Sequence, residues 1–187
     1  MSLVIDGASL TLAQVVDYSR RPEPVQAAPG ALGRVAGSRN AVEALVRGGA
    51  TMYGINTGFG KLANVRIPRD QLDRLQANLI RSHAAGIGHP LPPEVVRAML
   101  LLRANVLLRP TSGVRPDLIT ALLAMANAGI VPWVPEQGSV GASGDLAPLA
   151  HLALALMGEG EVMLANGARA PAGPVLAAAG LEPFRFA

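Results

Sequence analysis

The sequence predicts a mainly α-helical protein with short strands and a small hairpin. Half of its 187 residues are hydrophobic but only 3% are aromatic, so alanine and leucine must fill the interior, which favours closely packed helices. Several segments repeat apolar residues at helical spacing, and clusters of glycine and proline separate them. The length is sufficient for a single domain with a hydrophobic core.

The first half of the chain is predicted to contain one strand and three helices. Thr11 and Gln14 have the spacing of a capping box, which places a helix start at Leu12. The predicted elements are a strand at Leu3–Ile5, a helix from Leu12 to about Arg20, a helix from about Gly30 to Arg47, and a helix from Pro68 to about Ser82 with Leu72, Leu75, Leu79 and Ile80 on one buried face.

The second half alternates helices with short extended segments. Its first helix is apolar nearly all round, including Val95 and Val106, and is therefore expected in the interior. The predicted elements are helices from Pro92 to Leu108 and from Pro116 to Gly129, an extended segment at 130–134, a helix from Leu146 to Met157 capped by Asp145, a hairpin from Glu161 to Ala170 with a two-residue type I′ turn at Asn166-Gly167, and a short helix ending at Gly180.

One segment can form a reactive group from its own backbone. Ala142-Ser143-Gly144 lies in a run with glycine at 138, 141 and 144, so the chain can bend tightly there. In a compressed loop the Gly144 nitrogen can attack the Ala142 carbonyl carbon and close a five-membered ring. Loss of water and elimination of the Ser143 hydroxyl then give an imidazolone with an exocyclic methylene. The product is an electrophile, which no ordinary side chain provides.

Other motifs for a reactive serine or a phosphate site fail on spacing. A nucleophile elbow needs glycine two residues after the serine, but that position is Asp145. The glycines do not fit the dinucleotide fingerprint. Gly60-Lys61 ends like a phosphate-binding loop, yet Leu62 replaces the magnesium-binding Ser or Thr and Ile55 replaces the first glycine.

Two motifs resemble those of the aromatic amino acid ammonia-lyases. The first is 135–151, which contains Gly-Ser-Val-Gly-Ala-Ser-Gly-Asp-Leu-Ala-Pro, and the second is Tyr53-Gly-Ile-Asn-Thr-Gly-Phe-Gly60. The resemblance extends from about Leu10 to Phe184. It implies that Ala142, Ser143 and Gly144 become a 4-methylideneimidazole-5-one prosthetic group, and that Tyr53 is the catalytic base.

The segment around His83 bears on the substrate. A histidine at a helix C-terminus can simply cap carbonyl groups. However, Ser82-His83 resembles the substrate-selecting position of histidine-specific members, and Ala84 replaces the leucine found in tyrosine-specific ones. The resemblance implies that His83 contacts the substrate ring and that L-histidine is converted to urocanate and ammonia. A phenylalanine or tyrosine ammonia-lyase, or an aminomutase, remains an alternative.

The same resemblance makes residues 1–187 the N-terminal domain of this fumarase/aspartase-like fold, carrying the ring-forming loop. It implies that the C-terminal helical bundle is absent from this chain. In the family that bundle builds a homotetramer and supplies further active-site residues, among them an asparagine and cationic groups. The alternative is a non-catalytic domain whose loop never cyclises.

Composition argues against several other classes. The chain has no cysteine, so neither disulfides nor thiolate metal sites are expected. His83, His89 and His151 lack the spacing of metal ligands, and we predict no metal. The formal charge is only +3 with scattered arginines, which disfavours nucleic-acid binding. Without a signal-peptide pattern or a membrane-length apolar run, the expected location is the cytoplasm.

Overall fold

The computed structural model describes residues 2–139 and 146–186, apart from the side chains at 62 and 69. The predicted ring-forming residues Ala142, Ser143 and Gly144 therefore lie outside the described residues, as does the predicted cap Asp145. Both flanks of residues 140–145, called the ring-forming segment below, are described: β5 ends at Gln137 and α6 begins at Leu146.

Helices dominate the described residues, which confirms the predicted mainly α class. Short 3-10 turns lie at Gly60–Leu62 and Arg69–Gln71. The α-helices are α1 (Leu12–Arg20), α2 (Ala31–Arg47), α3 (Leu72–His83), α4 (Pro93–Leu107), α5 (Pro116–Asn127), α6 (Leu146–Leu156) and α7 (Ala172–Ala178).

The strands are short and form three small sheets. Strand β1 (Leu3–Ile5) pairs in parallel with β2 (Val25–Ala27). Strand β3 (Ile87–Pro90), which follows α3, pairs antiparallel with β5 (Pro135–Gln137), which leads into the ring-forming segment. The third sheet has the order β4 (Val131–Pro132), β6 (Glu161–Met163), β7 (Arg169–Pro171). The β3–β5 pair is the one that matters for the site, since it joins two segments that are remote in sequence.

The predicted capping box at α1 is confirmed. The Gln14 amide donates to the Thr11 hydroxyl at 3.3 Å, and the Thr11 amide donates to Gln14 Oε1 at 2.9 Å. Two otherwise unpaired amide groups are thereby satisfied, which starts the helix at Leu12.

Helix α4 is the centre of the core and packs against α1 and α5. Its buried side chains include Val96, Leu100 and Leu101. The prediction of burial all round was wrong for Val95 and Val106, which are 40% and 48% exposed. The neighbouring helices cover only part of the α4 surface, and one apolar face stays open.

Two further predictions need correction. The face of α3 that carries Leu72, Leu75, Leu79 and Ile80 is half-buried, and none of these side chains is fully buried, because the face borders cavities. The hairpin loop is also longer than predicted. Leu164 donates to the Ala168 carbonyl and Gly167 donates to the Leu164 carbonyl, so the loop has three residues, 165–167, with Gly167 at φ 78°.

Candidate active site

A cavity of about 710 Å³ lies between α3, α4, α5 and α6. Apolar side chains form most of its wall, and eight of them are leucines from these four helices. Chemically reactive or charged groups enter it at a few points only, which is the usual composition of a small-molecule site. Its lining includes the aromatic residues Tyr53, Phe59 and Phe186, the possible hydrogen-bonding groups His83 and Arg103, and Leu146.

Tyr53 reaches this cavity from a loop that is ordered by Asn56. The Asn56 side chain is 2% exposed; it accepts a hydrogen bond from the Met52 amide at 2.7 Å and donates one to the Ala50 carbonyl at 2.7 Å. The Gly54 amide donates to the hydroxyl of buried Thr57 at 3.3 Å. The glycine-rich motif is thus a loop, as predicted, and it is held from inside by two polar side chains.

The Tyr53 ring stands at the mouth of the cavity. It is 65% exposed and meets the Phe59 ring edge to face, with centroids 5.8 Å apart and planes at 70°. This contact limits the ring positions that Tyr53 can adopt. Tyr53 therefore borders the cavity at its mouth and is not part of the buried core.

His83 ends α3 and lines the same cavity. Its Nδ1 lies 2.8 Å from the Leu79 carbonyl oxygen and 3.1 Å from the Ser82 hydroxyl oxygen. Because a carbonyl oxygen can only accept, Nδ1 donates this bond, and in the neutral form of the ring Nε2 then carries the lone pair. The imidazole therefore caps the helix and also offers a hydrogen-bond acceptor. Capping and ligand contact, the two possibilities for this residue, are compatible.

Leu146 connects the cavity to the ring-forming segment. It is the first residue of α6, follows position 145 directly and is 49% exposed at the cavity wall. Its side chain lies at this opening, whereas Leu152 and Leu156, further along α6, are buried. Tyr53, His83 and Leu146, the first described residue after the ring-forming segment, thus border one space.

Two cavity residues were missed at the level of sequence. Arg103 is the charged residue of the cavity wall, and its partial burial lowers the pKa of the guanidinium. An arginine directly after the apolar run 98–102 of α4 was the available signal. Phe186 reaches the cavity from the other end of the chain and packs edge to face on Phe184, at 4.9 Å between centroids. No local sequence pattern indicates that Phe186 lines the cavity.

Residues 2–139 and 146–186 contain no cluster of three or more His, Asp or Glu side chains placed to hold a metal ion. Over the same ranges, no helix combines the length and apolar character needed to cross a membrane.

Comparison with known proteins places this architecture in a family. The family model described as "Aromatic amino acid lyase" matches residues 10–187. The chain therefore belongs to the aromatic amino acid lyases, as its two motifs predicted.

Individual relatives narrow the comparison. A histidine ammonia-lyase of Geobacillus thermodenitrificans is 58% identical over 184 residues, which cover 97% of this chain and 36% of that protein. The crystal structure of histidine ammonia-lyase from Trypanosoma cruzi superposes with a TM-score of 0.90 at 41% identity, over 100% of this chain and 36% of that one. An ergothionase from Treponema denticola superposes with a TM-score of 0.94 at 31% identity, over 99% of this chain and 37% of that one. The chain thus spans about a third of the length of these relatives.

Proposed function

We propose that this chain is the ring-bearing part of a histidine ammonia-lyase, which converts L-histidine to urocanate and ammonia. The observation that supports it most is the shared cavity: Tyr53 and His83 both line it, and so does the residue that begins α6 directly after the ring-forming segment. The relatives named histidine ammonia-lyase support the same substrate. The activity is that of the complete protein, since 187 residues span about a third of the relatives' length.

The residues around the ring-forming segment fit a 4-methylideneimidazole-5-one made from Ala142, Ser143 and Gly144. Ring closure needs both flanks of the loop to be held, because the amide nitrogen must be pressed onto a carbonyl carbon. One flank is β5, paired with β3, and the other is α6, packed against α3. When formed, the group supplies an electrophile that draws electron density from the substrate amine.

The described side chains provide the general base and the walls of the substrate cavity. The Tyr53 oxygen takes the proton from the β-carbon of the substrate as general base. The electrons of that C–H bond form the new carbon–carbon double bond, and the α-carbon–nitrogen bond breaks to release ammonia. The apolar cavity walls provide a surface against which a substrate side chain can pack.

His83 selects the substrate ring. With Nδ1 bound to the Leu79 carbonyl, Nε2 is an acceptor, and a neutral imidazole substrate carries an N–H that matches it. A phenyl ring has no such donor and would leave Nε2 unpaired. Sites that hydrogen-bond a substrate N–H discriminate strongly against analogues without it. This pairing favours histidine over phenylalanine.

Two further proposals follow from family membership. We expect a cytoplasmic homotetramer in which other segments complete the site. The open apolar row of Val95, Leu102 and Val106 on α4 supports a further packing partner, since rows of this kind are usually covered. Light scattering on the complete protein would test it: a monomer in solution would argue against the tetramer.

The decisive experiment is Ser143→Ala in the complete protein. Without the serine hydroxyl the exocyclic methylene cannot form, so we expect ammonia release from histidine to fall to the background rate while the protein stays folded. Intact mass should show the parent lighter than its sequence by two waters, a loss absent from the variant. A variant that retains substantial turnover would refute the proposed function.

A further inference from the structure

The chain after α3 and the chain before the ring-forming segment touch through two glycines, Gly86 and Gly138. A methyl group placed on Gly138 would lie 3.0 Å from the Gly86 Cα and 3.1 Å from the Ala147 Cβ. A methyl group on Gly86 would lie 3.2 Å from the Pro135 Cβ. Such distances are too short for ordinary carbon contacts. The two backbones therefore approach as closely as they do because neither residue has a side chain.

His151, on α6, closes this contact from a third side. The Gly86 amide donates to His151 Nε2 at 3.1 Å, and a methyl group on Gly86 would lie 3.0 Å from the same nitrogen. Since Nε2 accepts, the imidazole is neutral with its proton on Nδ1. The half-buried position favours that state, because desolvation lowers the pKa of His151 against a weaker opposing effect of Glu161.

Two side chains of α6, those of Ala147 and His151, contact the two glycines. Ala147 and His151 are four residues apart and so lie on one face of the helix. Ala147 meets Gly138, which precedes the ring-forming segment, and His151 meets Gly86, which follows His83 by three residues. One turn of α6 thus contacts both the entry of the ring-forming segment and the end of the helix that carries His83.

We propose that His151 is a positioning residue for the active site, which fixes α6 and the entry of the ring-forming segment against the end of α3. The proposal rests on the proposed function. Because a reactive group displaced by about 1 Å can cost on the order of 100-fold in rate, loss of this bond should affect turnover more than stability. His151 lies outside the residues that line the cavity, so it acts through its neighbours.

The test compares His151→Leu, His151→Gln and His89→Leu in the complete protein. Leucine removes the acceptor, whereas glutamine keeps a side-chain oxygen that can accept from Gly86. His89 is an exposed histidine on β3 and controls for loss of an imidazole. We expect His151→Leu to lower kcat/KM for histidine by about 10-fold to 100-fold, and the other two variants to stay within about threefold of the parent. Hydrogen exchange at the Gly86 amide should accelerate in His151→Leu alone.

Two outcomes would overturn the proposal. One is a His151→Leu enzyme with parental kcat/KM. The other is equal impairment of the leucine and glutamine variants with the Gly86 amide still protected, which would make the effect one of packing. If the parent releases no ammonia at all, the proposed function fails. Hydrogen exchange at the Gly86 amide then tests the hydrogen bond from Gly86 to His151 by itself, and unchanged exchange in His151→Leu rejects the proposal.

Discussion

At the scale of single residues, the described part of the site depends on Tyr53 and His83, which differ in how their side chains are held. Tyr53 is mostly exposed and is restrained by one ring contact, to Phe59. His83 has its Nδ1 committed to the Leu79 carbonyl. The phenol is thus placed by its loop, and the imidazole is oriented by its own helix. Their catalytic roles stay predictions, and each can be tested by removing a single functional group.

Tyr53→Phe removes one hydroxyl and keeps the contact with Phe59. We expect kcat to fall by at least about 100-fold, the usual effect of losing a general base, while the mass deficit of two waters persists. Tyr18→Phe is the matched control, because Tyr18 is the other tyrosine and lies 97% buried in the core, at 3% exposure, away from the cavity. A drop of only a few-fold in Tyr53→Phe would make Tyr53 a packing residue.

His83→Phe should change the substrate preference and not only the rate. Without Nε2 as acceptor, kcat/KM for histidine should fall by about 10-fold or more, while kcat/KM for phenylalanine is kept or improved. His89→Phe, at an exposed position, should leave both values unchanged. Equal losses on the two substrates would reduce His83 to a helix cap and remove the argument for histidine.

At the scale of elements, the site depends on short segments held by specific polar contacts. The loop of Tyr53 is ordered by Asn56, and the end of α3 is tied to the loop after α6 by Arg81 and Glu159. Arg81 Nε and Nη2 reach Glu159 at 2.7 and 2.6 Å, and this guanidinium lowers the pKa of the Glu159 carboxyl. The pair is largely solvent-exposed, so its contribution to stability is small. The buried Asn56 is the stronger constraint.

Asn56→Ala should loosen the Tyr53 loop. The change leaves the Met52 amide and the Ala50 carbonyl without their partner, at a cost of roughly 1–3 kcal/mol for a buried group left unpaired. Chemical denaturation and limited proteolysis would measure the loss of stability and the new cleavage within residues 50–58. Asn78→Ala, at an exposed asparagine on α3, is the control and should be near neutral. If both variants behave alike, Asn56 does not order the loop.

At the scale of the whole molecule, the described residues leave apolar surface exposed on several sides, and two of these sides bear on the site. One side is the α4 row at Val95, Leu102 and Val106, and the other is the cavity mouth with exposed Tyr53 and Leu146. The relatives are about three times longer, so in them more chain is available to cover such surfaces. Ring closure requires a compressed loop, and compression depends on all of the structure around it.

The 187-residue chain by itself is therefore expected to be inactive and to keep an unmodified Ala142-Ser143-Gly144. Its intact mass should equal the full sequence mass, and exposed apolar faces should make it self-associate. Intact mass spectrometry, light scattering and an ammonia assay with histidine decide this together. A chain lighter by two waters that releases ammonia would show that these residues are a sufficient catalyst.

Local sequence was enough to predict those features whose physical cause lies within a few neighbouring residues. The capping box at Thr11, the helix start at Pro116 and the glycine-rich loop at Tyr53 depend on residues a few positions apart, and each was predicted; the start of α4 was predicted at Pro92, one residue before its first residue, Pro93. The motifs around Tyr53 and Ser143 determined the family, and the match over residues 10–187 confirms it. Strand β2 was missed because its partners are remote: Asn127, 102 residues away, receives and donates hydrogen bonds at Val25.

Only the tertiary structure decided which predicted residues share a space. The cavity that joins Tyr53 and His83 depends on how four helices pack, and helix packing leaves no short-range pattern in a sequence. The same reason applies to the open faces of α3 and α4, since periodicity predicts an apolar face without saying what covers it. The Gly86–Gly138–His151 contact joins three segments over 65 residues, so its three members acquire a common role only in the folded chain.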